Sequence, residues 1–343
     1  MLVSVNQTFA SISGDFLMTA LLIYSLAVVA FAGDFAFGRP RRAAASRVRA
    51  ERVTQLATVG AGPSGDGPLP PPGESLPAAP VSTWQAIGEA GSWVRAALGL
   101  SALGAIAHLV AVVTRGLAVG RAPWGNMYEF ITALTCIAAI FFLYVMVRYR
   151  AWSLGVFVMG AVVLALGLAE TLIYTAAGPL VPALQSYWLS IHVTAMTLAT
   201  GIFFVAAVLG ILYLVVERYR ARVAAGKADP GNGLLARIPS AEQLDKLTYR
   251  TVIFGFPVWT FGVIAGAIWA DQAWGRYWGW DPVETWAFIT WVLYAAYLHA
   301  RATAGWRGTR AHIIQLLGFA SLATNMLVVQ VFITGMHSYA GVK

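Results

Sequence analysis

Long uninterrupted runs of apolar residues constrain the fold of this 343-residue chain more than any other feature. Several runs reach the ~20 residues that a helix needs to cross a bilayer. Apolar residues make up 59% of the chain and charged residues only 11%, whereas a soluble domain carries roughly 25% charged residues. The sequence therefore predicts an all-α, polytopic transmembrane helix bundle.

The apolar runs predict about eight membrane spans. Their approximate bounds are 14–37, 93–114, 127–147, 152–172, 188–216, 252–272, 283–300 and 312–336. Residues 39–91 are rich in arginine, proline and glycine, a composition typical of a flexible linker without a core. We therefore divide the chain into an N-terminal transmembrane helix at 1–38, a cytoplasmic linker at 39–91 and a seven-span domain at 92–343.

Basic residues predict the orientation of the spans. When successive connections are assigned to alternate sides, one side carries 19 Lys and Arg residues and the other carries 4. The positive-inside rule places the basic side in the cytoplasm. Both termini are then outside, together with the connections near 115–127, 173–188 and 273–284. The orientation explains the net charge of +8, which therefore does not indicate a nucleic-acid partner.

The predicted outer connection between the sixth and seventh spans is rich in tryptophan. Four tryptophans, at 274, 278, 280 and 286, stand within thirteen residues and are interleaved with glycines. Anchoring at the membrane interface explains one or two of them. Indole faces beside flexible backbone also suit a large, flat, apolar ligand, so this connection is a candidate binding site at the membrane surface.

The end of the same connection has a second interpretation. Asp281, Pro282 and Glu284 form a helix-start signature, in which Asp caps, Pro occupies the first turn and Glu reaches back to the cap. Asn126 and Glu129 have the same spacing before the third predicted span. These side chains are therefore candidates for capping, for ligand binding or for both.

Two of the five histidines are predicted at the level of the tryptophan-rich connection. His192 lies near the outer start of the fifth span and His337 near the outer end of the eighth. Neutral imidazoles are common iron ligands in haem proteins, and two from different helices can clamp an iron atom from opposite faces. The alternative is that each is simply hydrated or hydrogen-bonded.

The remaining histidines and the single cysteine have simpler interpretations. His299 ends the seventh span about 26 Å from Pro282 at 1.5 Å per residue, so it is either a buried functional group or a favourable charge at a helix C-terminus. We expect His108 to hydrogen-bond a neighbouring helix and His312 to be solvated. Cys136 has no second thiol with which to form a pair, and we expect it to pack in the core.

The motifs also resemble a known family. The pattern Trp-Gly-x-x-Trp-x-Trp-Asp at 274–281 resembles the WWD signature of haem-handling proteins. The continuation through residue 286, with Leu-His-x-Arg at 298–301, resembles the CcsA/ResC-type branch, called CcsB in many actinobacteria. Segments 123–129 and 185–193 and the terminal His-Ser-Tyr-Ala fit the same branch. The resemblance covers roughly residues 92–343.

This resemblance implies a subunit of the System II cytochrome c synthase, a haem lyase. Such a subunit binds haem b in transit and presents it outside the membrane, where the Cys-x-x-Cys-His segment of a reduced apocytochrome c forms thioethers with it. The implied partners are a ResB-type membrane subunit and the apocytochrome, with thiol-reducing proteins acting indirectly. Binding and orientation of haem, rather than acid–base catalysis, would be the role of the chain, and whether the chain is itself an enzyme is left open.

The resemblance also implies the site residues. His192 and His337 would be the iron ligands of the outer haem, and Trp274, Gly275, Trp278, Trp280 and Asp281 would surround its edge. His299 would bind the iron of a haem within the membrane, with the opposite ligand supplied by the ResB-type subunit. Val283 departs from the family pattern, since many members carry lysine at that position.

Three other functions remain open at this stage. A membrane b-type cytochrome would keep its haem permanently, a transporter would use the tryptophans as a gate for another apolar ligand, and a structural subunit would use them only as anchors. The alanine- and arginine-rich linker favours a bacterial plasma membrane over a plastid thylakoid membrane.

Overall fold

A computed structural model describes residues 5–38, 82–178, 186–229, 234–303 and 306–338. Helices form most of this part of the chain, and no β-strand occurs in it. The helices are α1 (Gln7–Gly38), α2 (Thr83–Glu89), α3 (Ser92–Val119), α4 (Met127–Tyr149), α5 (Trp152–Leu172), α6 (Tyr187–Ala224), α7 (Ala241–Trp274), α8 (Pro282–Ala302) and α9 (Thr309–Phe332).

Seven of these helices are long and apolar enough to cross a membrane, namely all except α2 and α8. The predicted all-α, polytopic membrane bundle is thus confirmed. The predicted span at 283–300 is a helix of 21 residues, but tryptophan, tyrosine and polar residues make it less apolar than the others. An eighth crossing therefore stays a prediction.

The predicted linker is described only at its end. Residues 39–81 lie outside the described residues. The short helix α2 follows them and begins with a capping box between Ser82 and Gln85. The first span is closely joined to the rest of the bundle, because α1 packs along α3 and α5.

Two predicted helix starts are confirmed by their caps. The Asp281 carboxylate accepts the N–H of Val283 at 3.2 Å, and the Glu284 carboxylate accepts the N–H of Asp281 at 3.1 Å. Asn126 Oδ1 accepts the N–H of Glu129 at 2.9 Å. Each such cap contributes roughly 1 kcal/mol to helix stability, so these segments begin where the sequence indicates.

The connections gather at the two ends of the bundle. One end contains the connections at residues 120–126, 173–178, 275–281 and 333–338. We call it the cavity end, because a large cavity opens there. The start of α1 is also there, because the N–H of Asn6 donates to the carbonyl of Ala118 at 2.8 Å. The opposite end, which we call the basic end, carries most of the arginines in the described part of the chain.

Candidate functional site

A cavity of about 820 Å³ opens at the cavity end, between α4, α6, α7, α8 and α9. Its size lies within the roughly 300–1,000 Å³ typical of small-molecule sites. Aromatic side chains from three segments form much of its wall: Trp124, Trp259, Trp269, Trp274, Tyr277 and Trp278. The cavity therefore suits a large ligand with flat apolar faces.

His192 and His337 both line this cavity, as the sequence predicted for their level. His192 Nδ1 lies 2.7 Å from the carbonyl oxygen of Gly262, and His337 Nδ1 lies 2.8 Å from Asp281 Oδ2. A carbonyl oxygen and an ionised carboxylate can only accept, so each Nδ1 carries the proton. In the neutral ring, Nε2 then keeps its lone pair, the form in which imidazole binds a metal.

Close packing of α6 on α7 brings His192 to its position. A Cβ added at Gly266 would lie 2.6 Å from ring atoms of His192, and one at Gly262 would lie 2.6 Å from Met196 Sδ. Two glycines four residues apart let membrane helices approach closely. This Gly-x-x-x-Gly spacing is visible in the sequence and would have predicted the contact that orients His192.

Asp281 lies behind His337 and is buried. Besides His337 and Val283 it accepts the N–H of Met336, at 2.6 Å. Burial opposes its ionisation, but the hydrogen bonds from His337 and from the Met336 backbone outweigh that cost. The pKa of Asp281 is therefore held below its usual range, and the side chain serves both as a helix cap and as the partner of a cavity histidine.

Two tryptophans pack against the histidines. The Trp269 ring is nearly parallel to His192 at 6.4 Å between centroids and lies 6.0 Å from His337. The Trp274 ring meets His337 edge-on at 5.0 Å and Trp269 at 4.7 Å. Trp269, which the sequence analysis did not select as a site residue, is thus central to the aromatic wall.

Some predicted site residues lie away from the cavity wall. Trp280 is 65% exposed and has a left-handed backbone with φ of 57°, and its ring packs 5.7 Å from Trp278, which does line the cavity. Gly275 ends α7 in the left-handed conformation. His299 is exposed on the last turn of α8, far along the helix from the cavity.

Several buried polar atoms along the cavity lack a hydrogen-bond partner among the described residues. The donors are Nε1 of Trp124, Trp259, Trp269 and Trp274 and Nε of Arg121, all from residues that line the cavity. An unsatisfied buried donor costs about 1–3 kcal/mol. The wall is therefore suited to a ligand that carries acceptor groups as well as flat apolar faces.

A buried ion cluster fixes the wall formed by residues 120–126. The Glu129 carboxylate receives Arg115 Nε at 3.0 Å, Arg121 Nη1 at 2.8 Å and the N–H of Gly125 at 2.8 Å. From its sequence context, Glu129 was predicted only as part of a helix start. Its role as a shared anion depends on Arg115 and Arg121, which its local sequence pattern does not indicate.

The prediction for His312 is wrong, because this residue is completely buried. Its ring stacks on Tyr213 at 3.8 Å, and its Nε2 lies 3.0 Å from Asp245 Oδ1. Arg301 also bonds Asp245, with both contacts at 2.8 Å. α9 begins earlier than the predicted span, so His312 falls inside the helix packing and not in a solvated connection.

His108 and Cys136 are both buried in the α1–α3–α4 region. The Thr132 carbonyl lies near the His108 ring, but within the described residues neither ring nitrogen has a partner in hydrogen-bonding geometry. The neighbour of His108 is therefore the α4 backbone, without a hydrogen bond of regular geometry. Cys136 is a free buried thiol, in agreement with its predicted packing role.

The fold and the cavity define a class, a multi-pass helical membrane protein with an aromatic cavity lined by two histidines. Comparison with known proteins agrees with that class. Residues 124–337 match the family model described as "Cytochrome C assembly protein". The chain therefore belongs to the cytochrome c assembly protein family and, by the relatives that follow, to its CcsA-type branch.

Curated relatives named "Cytochrome c biogenesis protein CcsA" match most of the chain. The protein of Guillardia theta is 37% identical over 258 residues, which are 70% of this chain and 84% of that protein. The protein of Heterosigma akashiwo is 36% identical over 245 residues, 63% of this chain and 76% of that protein. The protein of Synechococcus sp. (strain CC9902) is 35% identical over 249 residues, 66% and 81% of the two chains.

A solved structure shares the fold. The chain is similar to "Cytochrome c Heme Lyase CcmF" with a TM-score of 0.57 and 17% sequence identity. The match covers 93% of this chain and 47% of the length of that one. At this identity the likeness concerns the fold alone.

Proposed function

We propose that the chain binds haem b in transit in the cavity and presents it for attachment to apocytochrome c, as a subunit of a System II cytochrome c synthase. One observation carries the proposal. Two histidines from different elements line one aromatic cavity, and each has its Nδ1 engaged and its Nε2 available. Haem iron is commonly held by such imidazole nitrogens.

The remaining wall also fits haem. The macrocycle offers flat faces to the indoles of Trp269, Trp274 and Trp278, and its propionates offer acceptors to the unpartnered indole N–H groups. Val283, at the position where many members carry lysine, lines the cavity and adds no charge. The chain supplies ligation and orientation rather than proton transfer.

The attachment chemistry defines what the cavity must leave accessible. Each cysteine thiol of the apocytochrome adds across a haem vinyl group, so that sulfur bonds to one vinyl carbon and hydrogen to the other. The addition involves no net oxidation or reduction. The apocytochrome histidine then replaces a protein histidine as iron ligand and the product leaves, so we expect the vinyl edge to face the open side of the cavity.

His299 fits a second haem, shared with a ResB-type subunit. It continues an exposed line on α8 that includes Phe288, Val292 and Ala296. Residues spaced three or four apart lie on one face of a helix. This apolar face suits a partner membrane helix that carries the opposite iron ligand.

The distribution of charge supports an orientation. Among the described residues, most of the Lys and Arg side chains are at the basic end, which favours the cytoplasm for that end and the outside for the cavity. We propose a bacterial plasma membrane as the location, with the haem site facing outward.

Absorption spectra of the purified chain, with and without a ResB-type partner, test the proposal. His192→Gly and His337→Gly should each lose a low-spin haem signal, and added imidazole should restore it. His299→Gly is the matched control and should leave that outer-site signal in place. Active cytochrome c assembly with no haem in any preparation would contradict the proposal and favour a transporter of another ligand.

A transfer assay separates this proposal from a b-type electron carrier. The loaded protein is mixed with a reduced apocytochrome that contains Cys-x-x-Cys-His, and covalent haem is measured on the apocytochrome. Transfer that depends on His192 and His337 supports the synthase. Haem that stays bound to the chain after reduction and mixing would support the carrier.

A further inference from the structure

We infer that Asp281 is a positioning residue that acts on haem through His337, and does not itself hold the haem edge. The inference rests on the proposed function, because it concerns one of the two proposed iron ligands. It differs from the role that the family resemblance implies for this aspartate. Asp281 is absent from the cavity wall, whereas His337 is on it.

The contacts place Asp281 between the start of α8 and the C-terminal segment. Its Oδ2 lies 2.8 Å from His337 Nδ1 and its Oδ1 accepts the N–H of Met336 at 2.6 Å. One carboxylate thus accepts a hydrogen bond from the backbone of Met336 and another from the side chain of His337. Since α9 ends at Phe332, His337 lies beyond the helix and depends on such contacts for its orientation.

Gly335 makes this arrangement possible. A Cβ at this position would lie 2.5 Å from Asp281 Oδ1, which is too close for real atoms. A turn also closes here, because the N–H of Gly335 donates to Ser338 Oγ at 2.8 Å. The segment is therefore shaped to receive the carboxylate.

A carboxylate on Nδ1 has two effects on a ligand histidine. It fixes the tautomer with a free Nε2, and it makes the imidazole a stronger electron donor to the metal. His192 has only the neutral Gly262 carbonyl in the same role. The two proposed axial ligands are therefore unequal, and His337 is the stronger donor.

The test uses Asp281→Asn and Asp281→Ser in the full-length chain, because Asn and Ser also cap helices well. Haemin is titrated into the purified protein, and affinity, absorption spectrum and reduction midpoint potential are measured. We expect about a 10- to 100-fold loss of affinity and a higher midpoint potential. Asp271→Asn, a carboxylate in the last turn of α7 outside the cavity wall, is the matched control and should behave as wild type.

A double-mutant cycle locates the effect. In His337→Gly without added imidazole, Asp281 has no imidazole to position, so Asp281→Asn should cause no further loss of haem affinity. An equal loss in both backgrounds would overturn the inference, because Asp281 would then act on haem or on the fold directly. Thermal unfolding of the haem-free variants measures the effect on the fold separately.

The remaining outcomes are distinguishable. If His337→Gly abolishes ligation and Asp281→Asn leaves affinity and potential unchanged, the inference is wrong and the proposed function stands. If His337→Gly keeps the wild-type spectrum, the proposed ligation itself is wrong, and the inference about Asp281 falls with it.

Discussion

An aspartate–histidine pair lies at each end of this bundle, and the two pairs have nearly the same length. Asp281 and His337 are 2.8 Å apart at the cavity end, and Asp245 and His312 are 3.0 Å apart at the basic end. The His337 side chain is 21% exposed and the His312 side chain is fully buried. An Asp–His pair can thus orient a histidine for metal binding or stabilise the packing of helices. Which of the two applies depends on what surrounds the second nitrogen of the histidine ring.

At the basic end, described side chains enclose His312 completely. Tyr213 covers the His312 ring, and Arg301 forms two hydrogen bonds with Asp245. These side chains join α6, α7, α8 and α9. At the cavity end, His337 hydrogen-bonds Asp281 through Nδ1. His337 lines the cavity, so its Nε2 is the nitrogen left for a ligand.

Separate substitution of His337 and His312 should give the largest difference between the two ends of the bundle. Loss of the hydrogen-bond partner of a metal ligand typically lowers metal affinity by about 10- to 100-fold. We expect His337→Gly to lower the haem affinity by more than this, with recovery on addition of imidazole. His312→Gln should keep the haem spectrum and lower the unfolding temperature. Haem titration and thermal unfolding of both variants check this, and loss of the haem spectrum in a folded His312→Gln would contradict the comparison.

Removal of the aspartate at the basic end should mainly affect stability. Asp245→Ala leaves Arg301 and His312 without their shared anion, and breaking a buried pair in this way costs about 3–5 kcal/mol. Asp281→Asn should have a much smaller effect on unfolding, because asparagine keeps the helix cap. Unfolding of the two haem-free variants in detergent measures both, and equal losses of stability would remove the distinction between the pairs.

Gly266→Ala should disturb the other cavity histidine. The new Cβ would lie 2.6 Å from the His192 ring, and overpacking of this kind costs about 1–3 kcal/mol. We expect weaker haem binding in a protein that still folds. Gly160→Ala on α5, where a Cβ meets nothing within 4 Å, is the matched control, and a similar loss of binding there would show that helix propensity rather than contact with His192 is responsible.

The smallest expected effect is on the pH dependence of stability. The pKa of Asp281 is lowered in the folded protein, so the ionised side chain contributes stability above the ordinary aspartate value of about 3.9. That contribution is lost as the pH falls through the lower folded pKa. The difference in unfolding temperature between wild type and Asp281→Asn should therefore be constant near neutral pH and shrink only in acid. A difference that already disappears near neutral pH would contradict the prediction.

Much of the candidate site could be predicted from the sequence. The levels of His192 and His337, the tryptophan-rich connection and the cap at Asp281 follow from span length, charge distribution and local spacing. The burial of His312 was not predicted, because a histidine beside several arginines looks solvated until the position of Tyr213 is known. Trp269 was not selected either, since one tryptophan near a helix end has no local mark of a binding role.

The sequence by itself determined the long helices and the two capped helix starts, because hydrophobic runs and caps act within one segment of the chain. Only the tertiary structure decided which side chains meet. The hydrogen-bonded residues are far apart in the sequence. His337 and Asp281 are separated by 56 residues, His312 and Asp245 by 67, and His192 and Gly262 by 70. Such contacts depend on how closely whole helices pack and on their rotation about their axes, and hydrophobic runs specify neither.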